Sequence, residues 1–122
     1  MSKTVLIVDD SESIRDLVEM TLENAGYTVI KSFDGEDATY KLNTSRPVDL
    51  IITDLNMPNL DGIDFIKNVR ANEKYSTVPI LLLTTESQAI KKEKAKEVGA
   101  TGWIVKPFVR EKLIAIVKKV IR

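Results

Sequence analysis

Short apolar runs alternate five times with stretches of helical spacing along this chain, and that alternation narrows the possible folds more than any other feature. The runs predict strands at residues 4–8, 28–32, 49–54, 79–84 and 102–105. Val5-Leu6-Ile7-Val8 and Ile80-Leu81-Leu82-Leu83 are apolar at every position rather than every second one, the pattern of parallel strands covered on both faces. Between the first two runs, Ile14, Leu17, Val18, Thr21, Leu22 and Ala25 recur at helical spacing, and Gly26 is placed to end that helix. Asp34 and Asp61 read as N-caps, each with an acidic residue three positions on, Asp37 and Asp64. Leu113, Ile116, Val117, Val120 and Ile121 form a last apolar stripe. Between Gln88 and Val98 only Ala89, Ile90, Ala95 and Val98 are apolar, while Lys91, Lys92, Lys94 and Lys96 crowd the surface. That helix is expected to be the loosest, with Gly99 as its stop. Five such units joined by right-handed crossovers predict an α/β fold, a doubly wound (βα)5 sandwich with a parallel sheet in the order 2-1-3-4-5.

Composition removes whole classes of chemistry. At 122 residues the chain is expected to form one domain that buries about two thirds of its unfolded surface. It has no cysteine and no histidine, which excludes disulfides, Cys/His zinc sites, thiol nucleophiles and a Ser-His-Asp triad. No apolar stretch approaches the ~18 residues of a membrane span, and Met1-Ser2-Lys3 leads directly into a strand without a signal sequence. A cytoplasmic protein with no membrane contact is expected. Residues 1–85 carry 8 Lys/Arg against 14 Asp/Glu, whereas residues 86–122 carry 10 against 4. The basic end is either a solvated helix face or a docking surface for an acidic partner. Nucleic acid is not expected as a partner, because the basic residues lack interleaved aromatics and the rest of the chain is acidic.

The chemistry that remains concentrates at strand ends. Asp9-Asp10 follows the first strand and Asp54 the third, and in a 2-1-3-4-5 sheet these strands are neighbours, so the three carboxylates converge at the rim where α/β sheets bind ligands. Crowded carboxylates repel unless a cation neutralises them, and a small open set of hard oxygens suits Mg²⁺ with retained waters and a phosphate. Thr84 ends the fourth strand and brings a hydroxyl to the same rim. Lys106 follows the fifth strand and precedes Pro107, supplying a compact positive charge for a phosphoryl group.

Together, Asp9-Asp10, Asp54-Leu55-Asn56-Met57-Pro58 with Asp61-Gly62, Thr84 and Lys106-Pro107-Phe108 resemble the receiver-domain signature of two-component response regulators, in order and across nearly the whole chain. Leu83-Thr84-Thr85-Glu86 and Thr101-Gly102-Trp103-Ile104-Val105-Lys106-Pro107-Phe108 look most like chemotaxis regulators of the CheY type. The resemblance implies a flavodoxin-like fold, Asp54 as phosphoacceptor, and Thr84 and Lys106 as phosphoryl partners. It implies Mg²⁺, with Mn²⁺ as a substitute, held by Asp10 and Asp54 and by the backbone carbonyl of Asn56, with the acidic Asp9 behind these ligands or contacting the ion through water. It also implies a cis peptide between Lys106 and Pro107, a switch through Thr84, Thr85 and Trp103, and tuning of dephosphorylation by Asn56 and Glu86. Thr85 and Trp103 depart from the common alanine and tyrosine or phenylalanine, which bears on the size of the switch rather than on the chemistry.

The expectation that follows is a single receiver domain over residues 1–122 without an effector domain. It would be a monomer phosphorylated by a sensor histidine kinase, catalysing only its own phosphotransfer and autodephosphorylation. Its output face would be the fourth helix, fifth strand and fifth helix, addressed to a flagellar motor switch protein. A phosphorelay intermediate or a receiver cut from a larger regulator is the alternative. Two unlike readings compete on the same fold. A haloacid-dehalogenase-type phosphatase would want a second Asp where Asn56 stands, and a flavodoxin-like electron carrier would want a hydroxyl and glycine cradle where the first loop is acidic.

Overall fold

The structure, a computed structural model, describes residues 2–121. Strands β1 (Thr4–Val8), β2 (Thr28–Ser32), β3 (Leu50–Thr53), β4 (Ile80–Thr84) and β5 (Gly102–Val105) alternate with helices α1 (Glu12–Asn24), α2 (Gly35–Thr44), α3 (Gly62–Ala71), α4 (Ala89–Glu97) and α5 (Arg110–Val120). The strands form one parallel sheet in the order β2-β1-β3-β4-β5, the flavodoxin-like arrangement that the alternation implies.

Two strands are shorter than their apolar runs, for local reasons. Asp49 turns its carboxylate onto the Thr4 N–H at 2.8 Å, so β3 starts one residue later. Asp54 accepts the N–H groups of Leu55 and Asn56, which turns the chain and ends β3 at Thr53. Pro79 has no N–H to give to a ladder, and β4 begins after it. A 3₁₀ turn at Glu73–Tyr75, capped by Asn72, was not legible in the pattern.

Side chains of each strand divide between two faces. Leu6, Val8, Ile51 and Leu82 pack with Phe65, Ile66 and Val69 of α3, Ala38 and Leu42 of α2, and Ala95 of α4. Val5, Ile7, Ile52, Leu81 and Leu83 pack on the other face with Val18 and Leu22 of α1 and with Leu113 and Val117 of α5. Each fully buried aliphatic side chain contributes about 1.5–3 kcal/mol, so the sheet is the rigid part of the molecule. Helix starts are fixed by side chains: Asp34 and Asp61 accept the N–H groups of Asp37 and Asp64, and Ser11 does the same for Ile14 at the start of α1. α1 and α4 run into Gly26 and Gly99, at φ of 98° and 112°, a backbone region that glycine enters without strain. α4 buries only Ala95 and has no side-chain cap. No helix among the described residues is long and apolar enough to cross a membrane.

Candidate functional site

β1 and β3 pair in register with Val8 opposite Thr53, so the residues that follow each strand, Asp9 and Asp54, emerge side by side. The Asp54 N–H donates to the Val8 carbonyl at 2.9 Å and fixes that junction. On the far side of the sheet, Thr84 is opposite Val105, and the Lys106 N–H donates to the Thr84 carbonyl at 2.8 Å. Lys106 is thereby held at the same rim, and its peptide bond to Pro107 is cis. Gly62 closes the β3–α3 loop from below: its N–H donates to the Leu55 carbonyl, and a Cβ there would lie 2.7 Å from the Asp54 carbonyl oxygen.

One ammonium serves two carboxylates. Lys106 Nζ lies 2.7 Å from Asp9 Oδ2 and 3.0 Å from Asp54 Oδ2. The other oxygen of each acid is taken by backbone: Asp9 Oδ1 accepts the Ser11 N–H at 2.9 Å, and Asp54 Oδ1 accepts from Leu55 at 2.6 Å and Asn56 at 3.3 Å. Asp9 is fully buried, and that burial pushes its carboxyl pKa up although Lys106 pulls the other way. For Lys106, burial pulls the ammonium down, but its hydrogen bonds to Asp9 and Asp54 outweigh it and the pKa is raised. Asp10 is exposed beside them, and Asp9, Asp10 and Asp54 each bring an oxygen within 4.8 Å of the others. Three carboxylates against one ammonium leave two negative charges, the charge of one divalent cation. Hard oxygens, few in number and open to water on the Asp10 side, fit Mg²⁺.

The remaining expected residues form a second cluster on the β4–α4 loop. The hydroxyl of the buried Thr84 accepts the Glu86 N–H at 3.2 Å, so it is engaged with its own loop and not with Asp54. The Glu86 carbonyl accepts the indole N–H of the half-buried Trp103 at 3.1 Å. The Glu86 carboxylate pairs with Lys91 at 3.2 Å and accepts the Gln88 N–H, and the Lys91 ammonium holds its pKa below the ordinary glutamate value. Thr85 is exposed.

Sequence reasoning missed residues that hold the loops around the site. Arg15 donates from its guanidinium to the Asp9 carbonyl at 2.7 Å, and Ser11 holds both Asp9 and the start of α1. Asn59 donates its amide to Asp34 at 2.8 Å across the rim. Only the Ser11 cap had a signal, a serine directly before the helical pattern.

A family model described as the response regulator receiver domain matches residues 5–118. The chemotaxis response regulator CheY4 of Vibrio cholerae superposes with a TM-score of 0.93 at 47% identity, covering 99% of this chain and 100% of that one. Chemotaxis protein CheY1 of Helicobacter pylori J99 is 37% identical over 85% of each chain. The alkaline phosphatase synthesis transcriptional regulatory protein PhoP of Bacillus subtilis is 41% identical over all of this chain, which spans 50% of its length. The receiver domain of a sensor histidine kinase from Pseudomonas aeruginosa PAO1, 29% identical with a TM-score of 0.88 and 98% of each chain covered, has a magnesium ion coordinated in its active site cleft.

Proposed function

The chain belongs to the response regulator receiver domain family, and on that premise we propose that it is a phosphorylatable switch that accepts a phosphoryl group on Asp54 from a histidine kinase. The observation that carries this reading is the single Lys106 ammonium bridging Asp9 and Asp54 within a cluster of three carboxylates. Asp10, Asp54 and the Asn56 carbonyl would hold Mg²⁺, with Asp9 beside them. When bound, Mg²⁺ neutralises phosphoryl oxygens and aligns donor with acceptor.

The chain's own residues do the rest. The Leu55 and Asn56 N–H groups orient the Asp54 carboxylate, so that one of its oxygens attacks phosphorus as the phosphorus–nitrogen bond of the donor phosphohistidine breaks and the leaving nitrogen keeps the bonding pair. Lys106 stays at the rim and pairs with a phosphoryl oxygen as Asp54 becomes an acyl phosphate. Hydrolysis reverses the state: water attacks phosphorus, the Asp54 oxygen leaves as carboxylate, and inorganic phosphate departs. The Thr84 hydroxyl, by exchanging the Glu86 N–H for a phosphoryl oxygen, draws its loop toward the rim and shifts a pre-existing equilibrium at α4 and β5.

The output reading follows from the full-length likeness to CheY proteins: a regulator of chemotaxis acting on a flagellar motor switch protein through α4, β5 and α5. The PhoP likeness supports a second reading, in which this chain is the receiver portion of a larger regulator. Labelling by acetyl phosphate or a histidine kinase tests the chemistry, and Asp54→Asn is expected to abolish it; undiminished labelling of that variant overturns the acceptor assignment. Capture of partners by beryllofluoride-activated protein separates the two output readings.

A further inference from the structure

Asp34 lies one loop away from the acidic cluster, yet its buried carboxylate does two jobs in different elements. Oδ1 accepts the Asp37 N–H at 2.8 Å and caps α2, while Oδ2 accepts the side-chain amide of Asn59 at 2.8 Å. Asn59 belongs to the β3–α3 loop, three residues after Asn56. It is the one non-glycine residue with positive φ, 69°, among the described residues. Leu60, next in the chain, covers the start of α2 so closely that a Cβ on Gly35 would lie 2.9 Å from Leu60 Cδ2. The loop is also drawn in on itself, with the Leu60 N–H on the Pro58 carbonyl and the Gly62 N–H on the Leu55 carbonyl, each at 2.8 Å.

We propose that the Asp34–Asn59 hydrogen bond is a positioning clamp for the cation site, fixing the loop from Asn56 to Leu60 so that the Asn56 carbonyl is presented to Mg²⁺. Two comparisons single out this bond from ordinary folding contacts. A serine or threonine hydroxyl would cap α2 as well as Asp34 does, so what the aspartate adds is a second oxygen for Asn59. A glycine would hold φ of 69° with less strain than asparagine, so what Asn59 adds is its amide. Both additions meet in one contact, which ties the loop after the acceptor to the body of the fold. Residues that orient metal ligands from behind typically change metal affinity about ten- to a hundredfold when lost.

This inference rests on the reading of Asp10, Asp54 and Asn56 as the Mg²⁺ site, and the test separates the two. Mg²⁺ is titrated calorimetrically into unphosphorylated protein, for the unsubstituted chain, Asn59→Gly, Asn59→Asp and the swapped pair Asp34→Asn/Asn59→Asp, with urea unfolding measured alongside. Asn59→Gly is expected to raise the Mg²⁺ Kd about tenfold with only a small loss of unfolding midpoint, because glycine suits the backbone there and offsets part of the lost hydrogen bond to Asp34. Asn59→Asp sets two carboxylates against each other and is expected to weaken binding further. In the swapped pair the amide introduced at position 34 caps α2 through its carbonyl oxygen and donates its N–H to the carboxylate introduced at position 59, which is expected to restore an affinity near that of the unsubstituted chain. An unchanged Kd in Asn59→Gly, or a swapped pair no better than Asn59→Asp, overturns the clamp. Absence of Mg²⁺ binding by the unsubstituted chain overturns the site reading itself.

Discussion

Asp9 shows how burial and pairing compete at a single side chain. Its ammonium partner is 2.7 Å away, but desolvation outweighs that partner and raises its pKa above the ordinary aspartate value. A carboxyl whose pKa is higher folded than unfolded favours the protonated fold, so its stabilising contribution is complete below the unfolded value and is lost as pH rises through the folded one. Urea unfolding of metal-free protein between about pH 4 and 6 is expected to show a smaller loss on acidification for the unsubstituted chain than for Asp9→Asn, which lacks this compensation. Equal slopes would contradict it. Asp10 belongs to the same cluster, and Asp10→Asn relieves repulsion among three carboxylates within 4.8 Å. It is therefore expected to raise the unfolding midpoint of the metal-free protein while weakening Mg²⁺ binding, two changes of opposite benefit that a purely structural role for Asp10 would not produce. The family resemblance implies that Asn56 and Glu86 tune dephosphorylation. The double variant Asn56→Lys, Glu86→Leu is expected to lengthen the phosphoryl lifetime, and an unchanged lifetime would reduce both to rim residues.

At the scale of elements, the β4–α4 loop is where the site meets the helix that buries the fewest residues. Thr84, Glu86 and Trp103 form a chain of contacts: the Thr84 hydroxyl takes the Glu86 N–H, and the Glu86 carbonyl takes the indole N–H. If Thr84 turns to a phosphoryl group, the first bond breaks and the loop that supports the second moves. Acrylamide quenching of Trp103, the only tryptophan, is expected to change when Mg²⁺ and beryllofluoride are added. Unaltered quenching would mean that the loop moves without the indole. α4 follows the loop with one buried residue and no side-chain cap, so its amides are expected to exchange with solvent well before those of α1 or α3. The sparse burial of α4 was legible because its lysines leave so little apolar surface. The caps Asp34 and Asp61 were legible for the same local reason, a short acceptor just before a helical stretch. The 3₁₀ turn at Glu73–Tyr75 was not, since three residues of ordinary polarity carry no period.

At the scale of the whole molecule, the fold and most of the site follow from one inference. Once parallel strands alternate with helices in the order 2-1-3, Asp9 and Asp54 must be neighbours, and the structure brings them under one lysine. What the sequence does not display is any contact set by the shape of loops, such as Arg15 on the Asp9 carbonyl or Asn59 on Asp34, because neither periodicity nor turn chemistry relates residues that meet only across a rim. The segregation of charge along the chain also becomes spatial in the fold. The basic C-terminal third builds α4, β5 and α5, and there two shallow cavities of about 290 and 330 Å³ share Trp103 as a wall, the first bordered by Lys92 and Lys96, the second by Val105, Val109 and Lys112. Ile90 of α4, Val105 of β5 and Val109, the residue just before α5, are exposed apolar side chains. A surface with apolar anchors inside a basic rim fits an acidic partner segment that brings its own apolar side chains, and the two features should separate in measurement. Binding of the partner captured with beryllofluoride-activated protein is expected to weaken as salt rises, chiefly through slower association, because exposed charges steer encounter and are screened within about 8 Å at physiological ionic strength. Lys92→Glu should slow association and flatten that salt dependence. Val109→Ala should instead speed dissociation and leave the salt dependence as it was. A partner whose affinity ignores both salt and Lys92→Glu would show that the basic rim is only a solvated helix face.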